Sequence, residues 1–167
     1  GLLGSGEWIT DDDGSLLLYG HRDSQRDAPR DLYRIESDGR DLMLLAEDTC
    51  GGVIAADRGR VFTGRGPSVI AVPFEGGPEE ELARIPECIN IHVSARTSDG
   101  RFLFGAAKRT DDSLDVIRLE VATAKLDLIV RASYIMPVEI HGEHSDRLLA
   151  SIARIDDDGR STTPFGV

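Results

Sequence analysis

The stretch Ser98-Asp99-Gly100-Arg101-Phe102-Leu103-Phe104 decides the fold, because its wording returns along the chain. The same turn followed by a short apolar strand stands at Asp12-Asp13-Gly14-Ser15-Leu16-Leu17-Leu18-Tyr19 and at Asp57-Arg58-Gly59-Arg60-Val61-Phe62. Glycine reaches positive φ without steric cost and Asp bonds the backbone beyond it, so these are tight turns between strands. Outward from residues 98–104, a strand is expected at 89–95 before the turn and at 102–106 after it. A loop at 107–113, a strand at 114–121, a turn at 122–125 and a strand at 126–130 complete the unit.

The order repeats. The first unit places strands at 8–10, 15–20, 31–35 and 41–45, and the second at 52–56, 61–63, 68–74 and 80–85. A fourth unit begins at 136–141, turns near Ser145-Asp146, continues through 148–155 and then stops. Units of roughly 40–45 residues, each a four-stranded meander, are the signature of propeller blades. The chain therefore reads as an all-β β-propeller of about three to four four-stranded blades, part of a larger propeller. The blades fall at about 6–48, 49–87, 88–133 and 134–167, the last incomplete, within a single propeller segment. Gly and Asp punctuate the sequence too often for long helices.

The 167 residues hold 19 Lys+Arg and 30 Asp+Glu, a formal net charge of −11. With 40% apolar and 29% charged residues, the chain has the composition of a globular protein that buries one core. The negative charge repels phosphate backbones, and the basic residues form no stripe with interleaved aromatics, which argues against nucleic-acid binding. No apolar run approaches the roughly 20 residues that cross a bilayer, so no membrane span is expected. Cys50 and Cys88 are too few for a disulfide framework and read as unpaired small core residues. Gly1-Leu2-Leu3-Gly4-Ser5-Gly6 lacks both an initiator Met and the order of a signal peptide, and reads as a trimmed boundary or the middle of a longer chain. The residues do not decide between a cytoplasmic and a periplasmic place for a soluble protein.

The first unit, with Asp12 to Tyr19, the strand Asp31-Leu32-Tyr33-Arg34-Ile35 and the turn Ser37-Asp38-Gly39, resembles the repeats of TolB-like propellers, and residues 98–104 repeat the theme. The resemblance spans Glu7 to about Ile155 and identifies blades more than activity. Such propellers serve as periplasmic binding proteins, as non-catalytic domains of prolyl peptidases and as oligogalacturonate lyases. Asn90-Ile91-His92-Val93-Ser94 ahead of the 98–101 turn looks like the lyase branch. That resemblance implies histidines on inner strands holding manganese in the channel.

His92, Glu139, His141 and His144 form the sharpest constellation. With Ile89, Ile91 and Val93 on one face of an inner strand, alternation puts Asn90, His92 and Ser94 on the other; Glu139 and His141 likewise oppose Val138 and Ile140. Imidazoles with a carboxylate suit manganese, iron or zinc with open positions for substrate. Such an ion would neutralise a uronate carboxylate and acidify the neighbouring carbon-bound proton. The alternative is that these side chains hydrogen-bond across blade interfaces. Arg22, Arg26 and Arg30, with Arg34 after them, offer guanidinium forks to a carboxylated ligand or form a solvated rim with Asp23, Asp27 and Asp31. The acidic runs 11–13 and 156–158 read as solvated turns rather than calcium loops. Gly64-Arg65-Gly66 reads as a hairpin turn because no helix follows it.

Three functions fit this reading. The first is a TolB-like scaffold that binds an oligosaccharide ligand or a protein partner at the channel mouth and blade-top loops. The second is metal-dependent elimination on oligogalacturonides, and the third is the non-catalytic propeller of a prolyl-peptidase-like enzyme. The unfinished fourth unit implies self-association or a missing propeller remainder.

Overall fold

The Asp-Gly turns adopt the geometry their residues demand. Gly59 and Gly100 take φ of 84° and 71°, and the Asp99 carboxylate accepts bonds from Thr97 Oγ1 at 2.6 Å and the Arg101 amide at 2.9 Å. The Thr97 hydroxyl, then that amide, holds the Asp99 carboxyl below its usual range. The computed structural model describes residues 9–10, 15–20, 30–50, 55–57, 59–132, 139–144, 147–155 and 161–166, with side chains over 15–20, 30–50 and 59–131.

All regular structure among them is β. Strands β1 (Ile9–Thr10), β2 (Leu16–Gly20), β3 (Arg30–Ile35) and β4 (Met43–Thr49) form the first sheet in sequence order. The second holds β5 (Ala55–Asp57), β6 (Arg60–Arg65), β7 (Ser68–Pro73) and β8 (Glu80–Arg84). The third holds β9 (Cys88–Arg96), β10 (Phe102–Arg109), β11 (Leu114–Glu120) and β12 (Lys125–Ala132). β13 (Glu139–His144), β14 (Arg147–Ile155) and β15 (Ser161–Gly166) make a three-stranded fourth sheet. Every pairing is antiparallel between consecutive strands, which is the meander expected of a blade.

The second sheet is buried on both faces, and its strands show it. β7 is an unbroken run, Ser68-Val69-Ile70-Ala71-Val72, in which every residue is buried. Successive side chains go opposite ways. Val61, Ile70 and Val72, with Phe74, join Leu17, Tyr19, Leu32, Leu45 and Ala46 of the first sheet in one core cluster. Phe62, Val69 and Ala71 join Ile91, Val93, Leu103, Ile117 and Leu119 of the third sheet in another. Each large side chain so covered contributes about 1.5–3 kcal/mol relative to exposure. Polar ties cross the first of these interfaces as well. Tyr19 Oη and Thr63 Oγ1 are 2.8 Å apart, and the buried Arg34 reaches the Phe74 carbonyl at 3.4 Å.

The third sheet lies so close to the second that a side chain is missing where they meet. A Cβ built on Gly64 of β6 would stand 1.6 Å from the Ile91 carbonyl oxygen of β9. Only glycine fits beneath that carbonyl.

Several details differ from expectation; Gly64 and Arg65, read as turn residues, belong to β6, and β10 runs to Arg109 through part of the expected 107–113 loop. The fourth unit does not end at Ile155, since β15 adds a strand paired to β14. β4 starts at Met43 rather than Asp41, which takes a left-handed φ of 52° that ends any extended run there. Ile89 does not share the buried face of Ile91 and Val93. Lys108 pairs with Asn90 and Arg109 with Cys88, so Ile89 is an extra, bulged residue, and it is 48% exposed.

Gly64→Ala is expected to cost about 3 kcal/mol or more in urea unfolding, since the clash is with backbone that cannot rotate away. Gly59→Ala, at positive φ but facing open space, should cost only about 1 kcal/mol. Equal costs would show that β6 and β9 separate easily.

Candidate functional site

β9 is the edge strand of the third sheet, and it also lies against β5, β6, β7 and β13. One side carries Ile91 and Val93 into the core shared with the second sheet. Asn90, His92 and Ser94, all half-buried, occupy the alternate positions. A second bulge at Ser94, where Phe104 pairs with Ala95 and Gly105 with Val93, ends that alternation. The backbone between the bulges is tightly held. The Ile91 carbonyl sits over Gly64, and a Cβ on Gly105 of β10 would lie 2.3 Å from the His92 carbonyl oxygen. Two glycines on flanking strands thus receive two consecutive carbonyls.

Asn90 stands out on this strand. Its Oδ1 is buried and has no hydrogen-bond partner among the described residues. Leaving a buried acceptor unmade costs about 1–3 kcal/mol, so such an oxygen calls for an explanation.

The other predicted ligands separate into groups. Glu139, His141 and His144 all belong to β13, which neighbours β9, but their side chains lie outside the described residues. The register there has an irregularity: Ile140 pairs with Ala150 and Gly142 with Leu149, leaving His141 as the extra residue. Among the described residues no group of three His, Cys, Asp or Glu is placed to hold a metal. Arg22 and Arg26, and the acidic runs 11–13 and 156–158, also lie outside the described residues. Arg30 opens β3 half-buried, its carbonyl accepting the Thr49 hydroxyl at 2.7 Å.

Arg34 is no rim residue. It is 8% exposed, with Nη2 donating to Ser15 Oγ at 3.0 Å and lying 3.1 Å from Glu36 Oε1. Sequence reading also missed Asp115, which is 1% exposed at the start of β11. It accepts from Arg131 Nε at 2.7 Å and Nη2 at 3.1 Å, and from Arg109 Nη1 at 3.1 Å; Arg109 also reaches Glu87 at 2.8 Å. The bond to Asp115 raises the Arg131 guanidinium further above its usual range. A signal existed. Asp31-Leu32-Tyr33-Arg34-Ile35-Glu36 and Asp115-Val116-Ile117-Arg118-Leu119-Glu120 share Asp, Arg and Glu at the same spacing, and Asp31 is buried too.

Cys50 and Cys88 are free thiols. Burial pushes both thiols up, against backbone hydrogen bonds at Ile91 and Gly66 for Cys50 and against Arg109 for Cys88. A groove beside the β6–β7 hairpin is lined by Arg65, Ser68, Glu79, Glu81 and Arg84. Its charges are spent on one another. Arg65 clasps Glu79 with both terminal nitrogens, and Glu81 accepts from Ser68 at 2.8 Å and Arg84 at 3.0 Å. Arg84 first, then Ser68, hold the Glu81 carboxyl below its ordinary value.

No family model and no curated protein matches the chain. Among solved structures it is similar to an oligogalacturonate lyase in complex with manganese, at 17% identity and a TM-score of 0.60, over 96% of this chain and 51% of that one. It is also similar to TolB from Acinetobacter baumannii, at 15% identity and a TM-score of 0.61, over 98% of this chain and 43% of that one. The chain thus spans about half the length of these structures. At such identity the likeness establishes the fold, an all-β propeller arrangement of the TolB and oligogalacturonate lyase kind. No helix among the described residues is long and apolar enough to cross a membrane.

Asp115→Asn is expected to destabilise the chain by about 3 kcal/mol in denaturant unfolding, because two guanidiniums lose a buried charge. Asp127→Asn, removing the surface partner of Arg118, should move the midpoint little. A silent Asp115→Asn would mean that the network is ornamental.

Proposed function

We propose that the chain is a binding scaffold whose strand β9 receives a polar ligand, an oligosaccharide or a segment of a protein partner, with Asn90 and His92 as its contacts. The orphaned Asn90 Oδ1 carries this reading. A buried oxygen without a donor among the described residues suits a saccharide hydroxyl or a peptide N–H arriving from outside. The position is rigid as well, because Gly64 and Gly105 clasp the carbonyls of Ile91 and His92.

A second reading is favoured by the place of β13 against β9 and by the manganese of the similar lyase structure. An imidazole and an amide oxygen at alternate positions of one strand make a fitting pair of ligands for a divalent ion, with β13 the source of others. The ion, when bound, would supply charge to neutralise a uronate carboxylate. His92 and Asn90 would then orient it and the substrate. The propeller of a prolyl-peptidase-like enzyme remains the third role open to this fold.

If Asn90 is kept for a ligand, Asn90→Leu should leave the free chain as stable or more stable, by up to about 1–3 kcal/mol, since an unpaired polar atom is removed. A loss of more than about 1 kcal/mol in denaturant unfolding would make Asn90 a structural residue and defeat the scaffold reading. The second reading is checked on chain purified beside His92→Ala. Near-stoichiometric manganese, iron or zinc that vanishes in the variant, together with an unsaturated uronate chromophore from oligogalacturonides, would establish elimination. Absence of that chromophore with metal supplied would set elimination aside.

A further inference from the structure

The groove beside the β6–β7 hairpin lies where the second sheet faces the first. Ser68 pairs with Arg65 and with Arg84, and Ile70 pairs with Glu81, so these side chains share one face, the one Ile70 turns to the core of the first sheet. Strict alternation would send Glu81 and Arg84 to opposite faces. A bulge prevents it: Ala83 pairs with Val69 and Glu81 with Ile70, which leaves Leu82 as the extra residue and brings both charges to the same side. From the first sheet, the Glu47 carbonyl of β4 accepts Arg65 Nε at 2.9 Å and fixes that guanidinium in the groove wall. The cavity volume is about 440 Å³, within the range of small-molecule sites, and Ile70 and Pro67 supply the apolar part of its lining.

Four charges line the groove, and they cancel. Arg65 is matched by Glu79 and Arg84 by Glu81, so an ionic ligand would have to displace one of them, and a chain of net charge −11 offers an anion no general attraction. The pairing does not exhaust the bonding capacity of these groups. A guanidinium has five N–H donors; among the described residues Arg65 spends three, on Glu47 and Glu79, and Arg84 spends two, on Glu81. A carboxylate has about four acceptor positions; Glu79 fills two with Arg65, and Glu81 fills three with Ser68 and Arg84. All four side chains are partly exposed, so the remaining donors and acceptors lie side by side within reach of solvent. A hydroxyl is donor and acceptor at one atom and can bridge a carboxylate and its guanidinium without separating them. Neighbouring hydroxyls on a ring offer two such atoms, which suits the two-pronged ends of both side chains.

We propose that this groove binds an uncharged sugar ring through neighbouring hydroxyls, with the Arg65–Glu79 and Arg84–Glu81 pairs as its polar contacts and Ile70 and Pro67 against the C–H face of the ring. The site is separate from the one on β9 and does not rest on it. It lies on the face of the second sheet turned to the first, whereas Ile91 and Val93 of β9 pack on the other face.

The test is a nitrogen-edited NMR titration of the chain, of Glu79→Gln and of Asp127→Asn with maltose, cellobiose, lactose and galacturonic acid, read at the side-chain Nε–Hε signals of Arg65 and Arg84. Both carboxylates are partly exposed, so each variant should fold, which circular dichroism and a thermal melt verify. The expected result is that at least one of the three neutral disaccharides shifts both signals with a Kd of about 10 mM or tighter, unchanged in Asp127→Asn and at least about fivefold weaker in Glu79→Gln. Galacturonic acid should bind the unsubstituted chain more weakly than that disaccharide. Because Glu79→Gln leaves the Arg65 guanidinium without its counter-charge, it should strengthen galacturonate binding while it weakens the neutral sugar, a reversal that mere damage to the groove would not produce. Silence of both signals with all three disaccharides would overturn the proposal, as would a preference of the unsubstituted chain for galacturonate. Disaccharide binding that Glu79→Gln leaves intact would overturn it too, and would leave the reading of β9 standing.

Discussion

Everything in this arrangement depends on the approach of β9 to Gly64. Sheets packed face to face normally keep about 10 Å between them, the depth of two interdigitated side-chain layers. Where the Ile91 carbonyl crosses Gly64 that spacing collapses, since no Cβ could stand there. The collapse is local and makes the rest possible: it lets β9 lie against β5, β6 and β7 of the second sheet while Ile91 and Val93 fill the space over Phe62 and Val69. The amide of Cys50, in the connection from the first sheet, donates to the Gly64 carbonyl at 2.8 Å, so three sheets are fastened at one residue.

Charge tells a similar story of local closure. With a net charge of −11 the chain repels itself, yet its buried Asp115 and Arg34 are neutralised on the spot. Asp115 sits between Arg109 and Arg131, and Arg34 between Ser15, Glu36 and Glu75. Exposed pairs such as Arg101 with Glu120 are worth little by comparison, and Arg101 and Arg118 lie against the Phe102 ring at 4.7 and 4.9 Å. The interior thus holds its charge in short circuits near strand ends. Asn90 is the exception among neutral groups, an acceptor provided for nothing in its described surroundings.

The fold was legible because turns are written in residue chemistry. Asp-Gly at 12–14, 57–59 and 98–100 reveals where strands reverse, and alternation between turns reveals that both faces of the second sheet are apolar. Three things were hidden for physical reasons. Bulges at Ile89, Ser94 and His141 have no compulsory residue type, and each shifts the faces assigned by strict alternation. Burial of Arg34 and Asp115 depends on partners distant in sequence, and only the shared Asp, Arg and Glu of residues 31–36 and 115–120 hinted at it. β15, with Pro164 inside it, lacks the look of a strand, since proline donates no ladder bond; it is seen only on the free side of β14.

The bulges and the glycines meet in β9, and there fold and candidate site become one argument. A strand that packs on both sides has no freedom to aim a polar side chain, and a free edge has too much. β9 avoids both: its core residues are locked by Gly64 and the second sheet, and bulges at Ile89 and Ser94 bound the short stretch between. Inside that stretch only Asn90 and His92 can share the face opposite Ile91 and Val93. Removing the bulge at Ile89 would return strict alternation across Cys88, and Cys88 and Ile91 could no longer both enter the core they share. The irregularity is therefore what allows a buried strand start and a polar pair to coexist. It places the candidate contacts on backbone closely packed against Gly64 and Gly105, where a geometry suited to a ligand can be kept without the ligand being present.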